Sequence, residues 1–367
     1  MKKIMTIFGT RPEAIKMAPV IQKLSQVDAF RLVVCVTAQH REMLDQVLEL
    51  FTITPDHDLN IMKDKQDLFD IAQAVLGGLK PVMLAERPDL VLVHGDTSTT
   101  LLGALAAYYL QIPVGHVEAG LRTHNRYSPF PEEMNRTLVG PIASFHFAPT
   151  ETARRNLLAE NVSDDRIWVT GNTVIDALVQ TVRPEYGFSE ALRGIDWDRR
   201  ILLVTTHRRE NLGDRMRSVY LALLDLLDQF EDTTVVFPVH MNPAVRSVAE
   251  EVLGAHPRAV LIPPLEYADF ANLMARANLV LTDSGGLQEE APALGKPVLV
   301  LRDTTERPEA VEAGTVRLVG TDRNAIVREA GRLLADQAAY DAMARAVNPY
   351  GDGHASERIR DILLSNL

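Results

Sequence analysis

The chain has 367 residues, of which 46% are hydrophobic and 24% are charged, and its formal net charge at pH 7 is −11. This composition is ordinary for a globular protein, which excludes a largely disordered chain, and the length favours two domains over one. The negative charge excludes a general binding surface for nucleic acid or anionic lipid, so an anionic ligand must be held by local groups.

The chain is expected to lie in the cytoplasm, without a membrane partner. Its single cysteine, Cys35, falls in an apolar run and is typical of an inert buried thiol. One cysteine allows no disulfide within the chain, which fits a reducing compartment. The apolar stretch at the N-terminus ends at Gly9 and is too short for a signal peptide. We expect no segment near the roughly 20 apolar residues of a membrane span.

In the first half of the chain, short aliphatic runs alternate with stretches of helical periodicity. The runs predict strands at 3–8, 31–36, 90–94, 113–117, 145–147 and 167–169. The periodic stretches predict helices at 13–27, 41–50, 67–86, 97–111 and 150–161. Apolar strands separated by helices are typical of a parallel sheet covered on both faces.

Residues 182–200 are rich in charged and turn residues, which predicts a linker or a domain edge. The pattern then restarts, with strands predicted at 201–205, 234–239, 259–262, 279–281, 298–301 and 317–319. The sequence therefore predicts an α/β protein of two Rossmann-like, doubly wound domains that face a central cleft. We assign residues 1–170 to the first domain and 171–352 to the second. A last helix over 355–364 is amphipathic and needs an apolar surface to cover.

The stretch 279–301 predicts a strand, a glycine-containing turn, a helix and a second strand. Ser284, Gly285 and Gly286 form the turn. The first N–H groups of a helix lack partners there, so the turn is suited to a phosphate. Glu290 follows Gly286 by one helical turn and shares its face, where a carboxylate suits ribose hydroxyls. The alternative is a tight turn with no ligand, because short glycine motifs occur often by chance.

Ligands of such sheets bind beyond the carboxyl ends of the strands, so residues that follow each predicted strand are candidates. Arg11 and Lys16 follow the first strand, and both side chains bind phosphate well. The alternative is a solvated helix start. Neither the dinucleotide-binding nor the nucleotide-hydrolysing glycine motif occurs, which makes NAD chemistry and ATP hydrolysis less favoured.

Three carboxylates also follow predicted strands or open a helix, namely Asp96, Glu118 and Glu132. Each by itself is more often a helix cap or an ion-pair partner than a catalyst. Together they could hold a metal or move protons. No closely spaced pair of aspartates accompanies them, and crowded carboxylates repel one another, which raises the pKa of some. The pattern therefore favours proton transfer over a metal site.

The second half of the chain offers further candidates at its predicted strand ends. His207 could hydrogen-bond a phosphate or carry a proton. Phe270 offers a flat surface for a base, although packing is the more usual role of such a side chain. Arg307 is a candidate contact for a phosphate or a sugar.

Six motifs in these stretches together resemble the non-hydrolysing UDP-N-acetylglucosamine 2-epimerases of bacteria, essentially from end to end. The motifs are GTRPEAIKMAP at 9–19, HGDTST at 94–99, HVEAGLRT at 116–123, FPEEMNR at 130–136, THRREN at 206–211 and DSGGLQEEAPALGKPVLVLRDTTERPEAV at 283–311. The resemblance implies a glycosyltransferase-B-like fold in which a final helix, 353–367, packs back on the first domain. It also implies a homodimeric isomerase that interconverts UDP-GlcNAc and UDP-ManNAc with neither NAD nor metal, and that supplies ManNAc units for surface polysaccharide.

The resemblance also implies roles for individual residues. It assigns proton transfer to Asp96, Glu118 and Glu132, and stabilisation of the leaving diphosphate to His207. It assigns UDP or substrate binding to Arg11, Lys16, Arg136, Phe270, Ser284, Gly285, Gly286, Glu290 and Arg307. The implied reaction is anti elimination of UDP to 2-acetamidoglucal, followed by re-addition of UDP. Which carboxylate serves which face of C2 is left open.

Bacterial relatives carry a second UDP-GlcNAc site that activates the enzyme, and the resemblance implies such a site here. It would be formed by Gln39, His40, Glu42, Lys65, Arg208 and His240. Glu42 and Lys65 stand where Gln and Arg are expected, and an added carboxylate near a diphosphate is unfavourable. Two other activities remain as alternatives. One is a hydrolysing 2-epimerase that releases UDP and ManNAc, and the other is a UDP-sugar glycosyltransferase of the same fold.

Overall fold

The computed structural model describes residues 1–38, 41–63 and 66–367, except for the side chains of Glu42 and Arg209. These residues divide into two compact units. The first unit consists of Met1–Val179 together with Tyr350–Leu367, and the second consists of Gln180–Pro349. Each unit has its own sheet and its own core.

A parallel sheet of seven strands forms the centre of the first unit. The strands are β1 Lys2–Phe8, β2 Phe30–Val36, β3 His57–Asp58, β4 Leu90–His94, β5 Val114–Val117, β6 Phe145–Ala148 and β7 Ile167–Val169. They lie in the order β3-β2-β1-β4-β5-β6-β7. The helices that connect them are α1 Arg11–Ser25, α2 Arg41–Leu50, α3 Leu68–Glu86, α4 Ser98–Tyr109, α5 Glu132–Ile142, α6 Glu151–Ala159 and α7 Thr173–Thr181. Helices on a parallel sheet bury both faces of its strands, which explains their continuous apolar runs.

Strand β3 was not predicted from the sequence. It has two polar residues, His57 and Asp58, and pairs with Cys35 and Val36 of β2. A pair this short has no periodicity to detect. The Cys35 thiol is buried, and burial, with Asp58 and Asp56 nearby, raises its pKa to about 12. It is therefore protonated and unreactive at neutral pH.

The second unit repeats the arrangement with six parallel strands. They are β8 Arg200–Thr205, β9 Thr233–Pro238, β10 Ala259–Ile262, β11 Leu279–Thr282, β12 Val298–Val300 and β13 Val316–Leu318, in the order β10-β9-β8-β11-β12-β13. The helices are α8 Asp214–Gln229, α9 Pro243–Leu253, α10 Tyr267–Arg276, α11 Leu287–Ala293, α12 Pro308–Glu312, α13 Arg323–Ala335 and α14 Gln337–Ala344. The two-domain α/β architecture predicted from the sequence is confirmed.

The last helix, α15 Ala355–Asn366, packs against α1 of the first unit. Ile359 and Leu363 have no exposed surface, and burial of each such side chain contributes about 1.5–3 kcal/mol. Asp176 of α7 accepts hydrogen bonds from the backbone N–H groups of Ala355, at 3.1 Å, and Ser356, at 2.8 Å. Because α7 holds the start of α15 in this way, the boundary lies after Val179, and the boundary predicted at residue 170 is corrected.

Helix α3 also corrects an expectation from the sequence. By length and composition alone, this 19-residue helix is long and apolar enough to cross a membrane. Its buried residues are Ile71, Val75, Leu79 and Met83, which recur every four positions and therefore lie on one face. That face packs into the core of the first unit with residues of the sheet.

Candidate active site

The order of the strands places the predicted residues at the ligand-binding edge of each sheet. In the first unit the chain runs outward in one direction from β1 to β2 and in the other from β4 to β5. The loops after β1 and β4 therefore diverge and leave a crevice at the carboxyl ends of these strands. The second unit has the same switch between β8 and β11.

Glu13 joins the two loops that border the crevice of the first unit. One of its carboxyl oxygens accepts from the backbone N–H of Gly9 at 3.1 Å, and the other accepts from the hydroxyls of Thr97 at 2.7 Å and Thr100 at 3.2 Å. Burial, which outweighs these bonds, raises the pKa of Glu13. Arg11, half-buried at the start of α1, has no ion pair within the described ranges. It is thus placed at the crevice with its charge available for an anion.

Glu118 directly follows β5 and is held by groups from three other parts of the unit. Its Oε2 pairs with the ammonium of Lys16 and accepts a hydrogen bond from Nδ2 of Asn172 at 2.9 Å. Nε2 of His94 lies 3.8 Å from the same oxygen. The backbone of Glu118 has a φ of 64°, a left-handed conformation that costs about 1–3 kcal/mol for a residue other than glycine. Such strain persists where surrounding contacts impose it, often at functional sites.

Asp96 is a carboxyl group of this cluster whose acidity is strongly altered. Burial raises its pKa to about 6, against the opposing effect of Arg136, whose Nη1 lies 3.4 Å from Oδ2. Glu118 and Glu132 raise the pKa further, and Lys16 lowers it. The three predicted carboxylates are therefore close enough to influence one another. A carboxyl group with a pKa near neutrality is suited to give and take protons.

Glu132 and Glu133, adjacent at the start of α5, have different environments. Glu133 is buried and accepts from the backbone N–H groups of Thr123, at 3.0 Å, and His124, at 2.9 Å. Its second oxygen lies 3.0 Å from Nε of Arg136. The Glu132 side chain is half-buried and has no hydrogen bond to the other described residues. Glu133 therefore holds the preceding loop, whereas Glu132 is near enough to Asp96 to raise its pKa.

His94 ends strand β4 and was not a predicted site residue. Its side chain is 3% exposed, and in the described part of the chain neither ring nitrogen has a hydrogen-bond partner. Burial lowers its pKa to about 4, so the ring is neutral above that pH. The rule that ligands lie beyond strand ends does not select His94, because it is the last residue of β4, but the rule would have selected Asn172 after β7.

In the second unit, Asp283 connects the ends of β8 and β11. It has no exposed surface and accepts from the backbone N–H groups of His207, at 3.0 Å, and Arg208, at 3.0 Å. Nδ1 of His207 lies 3.2 Å from its Oδ1. Burial by itself raises the pKa of Asp283, but the bonds from His207 and Arg208 outweigh it and lower the pKa. This ionised carboxylate holds the His207 ring beside the predicted phosphate turn.

That turn begins at Ser284, whose backbone N–H donates to Oγ1 of Thr282 at 2.9 Å. Gly286 follows as the residue before α11, with a φ of −63°. A Cβ added to Gly285 would lie 3.0 Å from Oε1 of Glu306. Burial raises the pKa of Glu306, yet a bond from its own backbone and the pairing with Arg302 and Arg208 hold it at about 2. The turn is therefore bordered by two arginines and by the ionised carboxylate with which both are paired.

Three other predicted contacts are Glu290 of α11, Phe270 of α10 and Arg307, the residue before α12. Oε1 of Glu290 is 3.4 Å from the hydroxyl of Tyr267, and Phe270 is half-buried on the same helix as Tyr267. Arg307 forms an ion pair with Glu289, which is buried. Arg307 was predicted to contact a ligand, but its guanidinium is already paired with a buried carboxylate.

The residues expected to form an activating second site are described only in part. His240 is exposed, and its ring centroid is 5.9 Å from that of His207. Arg208 pairs with Glu306. Gln39, His40, Lys65 and the side chain of Glu42 lie outside the described residues.

The fold is shared with proteins of very different sequence. The glycosyltransferase of kitacinnamycin superposes with a TM-score of 0.66 at 13% identity, covering 100% of this chain and 99% of its own. At that identity the likeness concerns the fold alone. The glycosyltransferase-B-like architecture expected from the sequence is confirmed.

Comparisons at higher identity identify the family. The sequence profile described as UDP-N-acetylglucosamine 2-epimerase matches residues 22–364. The UDP-N-acetylglucosamine 2-epimerase of Escherichia coli strain K12 is 58% identical over 372 residues, covering 99% of each chain. That of Bacillus subtilis strain 168 is 56% identical and covers 99% of this chain and 95% of its own. The Neisseria meningitidis UDP-GlcNAc 2-epimerase, crystallised with UDP-GlcNAc, has a TM-score of 0.87 at 49% identity and covers 99% of this chain and 100% of its own. The chain therefore belongs to the UDP-N-acetylglucosamine 2-epimerase family, in its bacterial, non-hydrolysing form, and is by that membership an isomerase.

Proposed function

We propose that the chain interconverts UDP-GlcNAc and UDP-ManNAc by eliminating UDP and adding it back, and that the product supplies ManNAc units for surface polysaccharide. The observation that carries the mechanism is the carboxylate cluster of the first unit, in which burial, Glu118 and Glu132 raise the pKa of Asp96. The meningococcal relative, which is bound to UDP-GlcNAc, supports the choice of substrate.

The first half of the reaction needs a base at C2 and a stabilised leaving group at C1. One carboxylate of the cluster takes the C2 proton while the bond between C1 and the diphosphate oxygen breaks. The electrons of the C–H bond form the C1–C2 double bond of 2-acetamidoglucal, and UDP leaves with the electrons of the C–O bond. Because the C2 proton is weakly acidic, stabilisation of departing UDP must accompany its removal.

The second half of the reaction reverses these events on the other face of C2. The diphosphate oxygen attacks C1, and a protonated carboxyl group delivers a proton to C2 from the face opposite to that of removal. Two faces require two proton carriers, which supports the use of Asp96, Glu118 and Glu132 together. Asp96, with a pKa of about 6, is suited to be one that gains and loses a proton near neutral pH.

The second unit is proposed to hold the UDP part of the substrate. The backbone of Ser284, Gly285 and Gly286 receives the diphosphate, and His207 stabilises the charge that develops on it as the C–O bond breaks. Glu290 receives the ribose hydroxyls and Phe270 the base. The bonds of Asp283 to His207 support this role, because they hold the ring in one orientation.

Incubation with UDP-GlcNAc in D₂O tests the proposal. We expect UDP-ManNAc that carries deuterium at C2, without stoichiometric release of UDP. Accumulation of UDP with free ManNAc would instead indicate the hydrolysing activity. A requirement for an acceptor sugar would indicate a glycosyltransferase. Recovery of UDP-GlcNAc without deuterium and without UDP-ManNAc would contradict the proposal.

We further propose that the protein is a homodimer formed through the outer face of α3. Phe69, in the first turn of this helix, and Leu84, near its end, are 78% and 50% exposed and lie outside its buried face. Large apolar side chains that are exposed on one helix are candidate contacts of a protein interface. Light scattering during size-exclusion chromatography should give the mass of a dimer for the wild type and of a monomer for Phe69→Glu. A monomeric wild type would contradict this proposal.

A further inference from the structure

We propose that Asn172 is a positioning residue for Glu118. Asn172 is held in turn by Tyr350–Gly351, where the chain returns to the first unit, so this segment also determines how the Glu118 carboxyl group is oriented. This inference rests on the proposed function, in which Glu118 transfers a proton at C2. Every residue in the argument belongs to the first unit.

The side-chain amide of Asn172 is held in one orientation. The residue is 2% exposed and follows the end of β7. Its Oδ1 accepts from the backbone N–H of Val174 at 3.2 Å, which orients its Nδ2 toward Oε2 of Glu118 at 2.9 Å. An amide has distinct donor and acceptor ends, so the acceptor bond within the turn fixes which end faces the carboxylate.

The backbone of Asn172 is held by the C-terminal segment. Its N–H donates to the carbonyl oxygen of Tyr350 at 2.7 Å. Gly171 and Gly351 meet so closely that a Cβ on Gly171 would lie 3.2 Å from Cα of Gly351. Both glycines have positive φ, 87° and 122°, which side chains disfavour. The position of the Asn172 amide is therefore determined by two chain segments at once.

Glu118 needs such a contact because one ammonium group does not define the orientation of a carboxyl group. The Lys16 side chain is a flexible point charge, whereas the Asn172 amide donates in one direction. Both act on Oε2, so together they set the plane of the carboxyl group and favour its ionised form. The titratable groups that face Glu118 from neighbouring elements are Lys16 of α1 and, at the end of β4, His94 and Asp96.

The substitution Asn172→Asp separates this role from a structural one. Aspartate keeps an oxygen for the N–H of Val174, but it replaces the donor to Glu118 with a second anion. The added negative charge disfavours ionised Glu118. We expect the acid limb of the kcat–pH profile to move up by about one pH unit or more. We also expect kcat near neutrality to fall about tenfold or more, with KM changed less than about threefold.

The variant Ser356→Ala is the matched control. Ser356 also joins α7 to the C-terminal segment, through its hydroxyl bond to Asp176, but it takes no part in the cluster around Glu118. It should lower thermal stability and leave the acid limb in place. If Asn172→Asp and Ser356→Ala both lower stability and neither moves the acid limb, Asn172 is only structural and the inference is overturned.

A second readout does not depend on catalysis. The carbon-13 resonance of the Glu118 carboxyl group, assigned by its absence in Glu118→Gln, should titrate about one pH unit higher in Asn172→Asp than in the wild type. An equal midpoint overturns the inference. If this midpoint moves while the wild type forms no UDP-ManNAc, the positioning of Glu118 by Asn172 stands and the proposed function fails.

Discussion

Glu132 and Glu133 are adjacent at the start of α5, and only Glu133 is bound on both carboxyl oxygens by the surrounding chain. Glu133 is 3% exposed and accepts from the N–H groups of Thr123 and His124. Glu132 is half-buried, and its negative charge raises the pKa of Asp96. Of these two identical side chains, Glu133 therefore has a structural role and Glu132 is the one available for chemistry.

This difference leads to the first prediction. Glu132→Gln should lower kcat by about 10²- to 10⁴-fold, the range for loss of a proton-transferring group, while the unfolding free energy changes by less than about 0.5 kcal/mol. Glu133→Gln should instead lower the unfolding free energy by about 1–3 kcal/mol, because one of its two acceptor oxygens becomes an NH2 group that faces buried N–H donors and cannot accept from them. Steady-state kinetics and urea unfolding of both variants measure the two effects. Equal loss of stability in the pair would contradict the assignment.

The second prediction concerns the pH dependence of stability at Asp96. Burial outweighs Arg136 and raises the pKa of this carboxyl from 3.8 to about 6. Between these values the folded protein keeps a proton that the unfolded chain has lost, so its stability falls as pH rises and the cost is complete above about pH 6. The side chain is 29% exposed, so solvent reduces the cost to about 1–2 kcal/mol.

Asp96→Asn should therefore be more stable than the wild type by about 1–2 kcal/mol near pH 7, and nearly equal to it near pH 4. The same variant should lose activity, since an amide cannot carry the proton. Urea unfolding at both pH values measures the difference. A difference in stability that is the same at both values would show that the titration of Asp96 does not cause it.

The third prediction concerns the leaving group. His207→Ala should lower kcat by about 10²- to 10³-fold and change KM much less, because the ring is proposed to stabilise charge that exists only as the C–O bond breaks. His256→Ala is the control: His256 belongs to the same unit, and its Nε2 lies 3.7 Å from Asp228. It should keep normal kinetics. A large rise in KM for His207→Ala without a fall in kcat would assign His207 to substrate binding alone.

The fourth prediction concerns the glycine turn before α11. Gly286 has a φ of −63°, which any residue adopts, and an added Cβ would lie at an ordinary 3.6 Å from Oε2 of Glu290. Gly286→Ala should therefore change the unfolding free energy by less than about 1 kcal/mol. If the turn holds the diphosphate, the methyl group should weaken UDP binding about tenfold or more, since it blocks close approach of the phosphate.

Isothermal calorimetry with UDP measures this effect, and Gly194→Ala is the matched control. An added Cβ at Gly194 has no atom within 4 Å among the described residues, so this variant should bind UDP normally. UDP affinity that is the same in Gly286→Ala and in the wild type would place the diphosphate elsewhere.

The sequence predicted the strands and the edge of the sheet where the site lies. The strands Leu90–His94, Ile167–Val169 and Ala259–Ile262 have the bounds that their apolar runs indicated. Such runs report burial directly, because strands covered by helices on both faces have few polar positions. The position of a residue after a strand is also a local property, so Asp96 and Glu118 could be selected without a structure.

The partners of these residues could not be selected in this way. Lys16 and Glu118 are 102 positions apart in the sequence, and His207 and Asp283 are 76 apart. Their contacts depend on the order of the strands, in which β1 lies beside β4 and β8 beside β11. The pairing of Arg307 with Glu289 was missed for the same reason, because it needs the residue before α12 to meet helix α11.

The sequence by itself determined the α/β class, the position of the strands and the strand-end location of the carboxylates, because periodicity and burial are recorded residue by residue. The tertiary structure decided which carboxylates are chemically available. Glu133 is used by backbone donors, Asp96 has a raised pKa, and Glu118 is oriented by Lys16 and Asn172. Burial, hydrogen bonding and neighbouring charge control the acidity of a side chain, and all three arise only when distant segments of the chain are packed together.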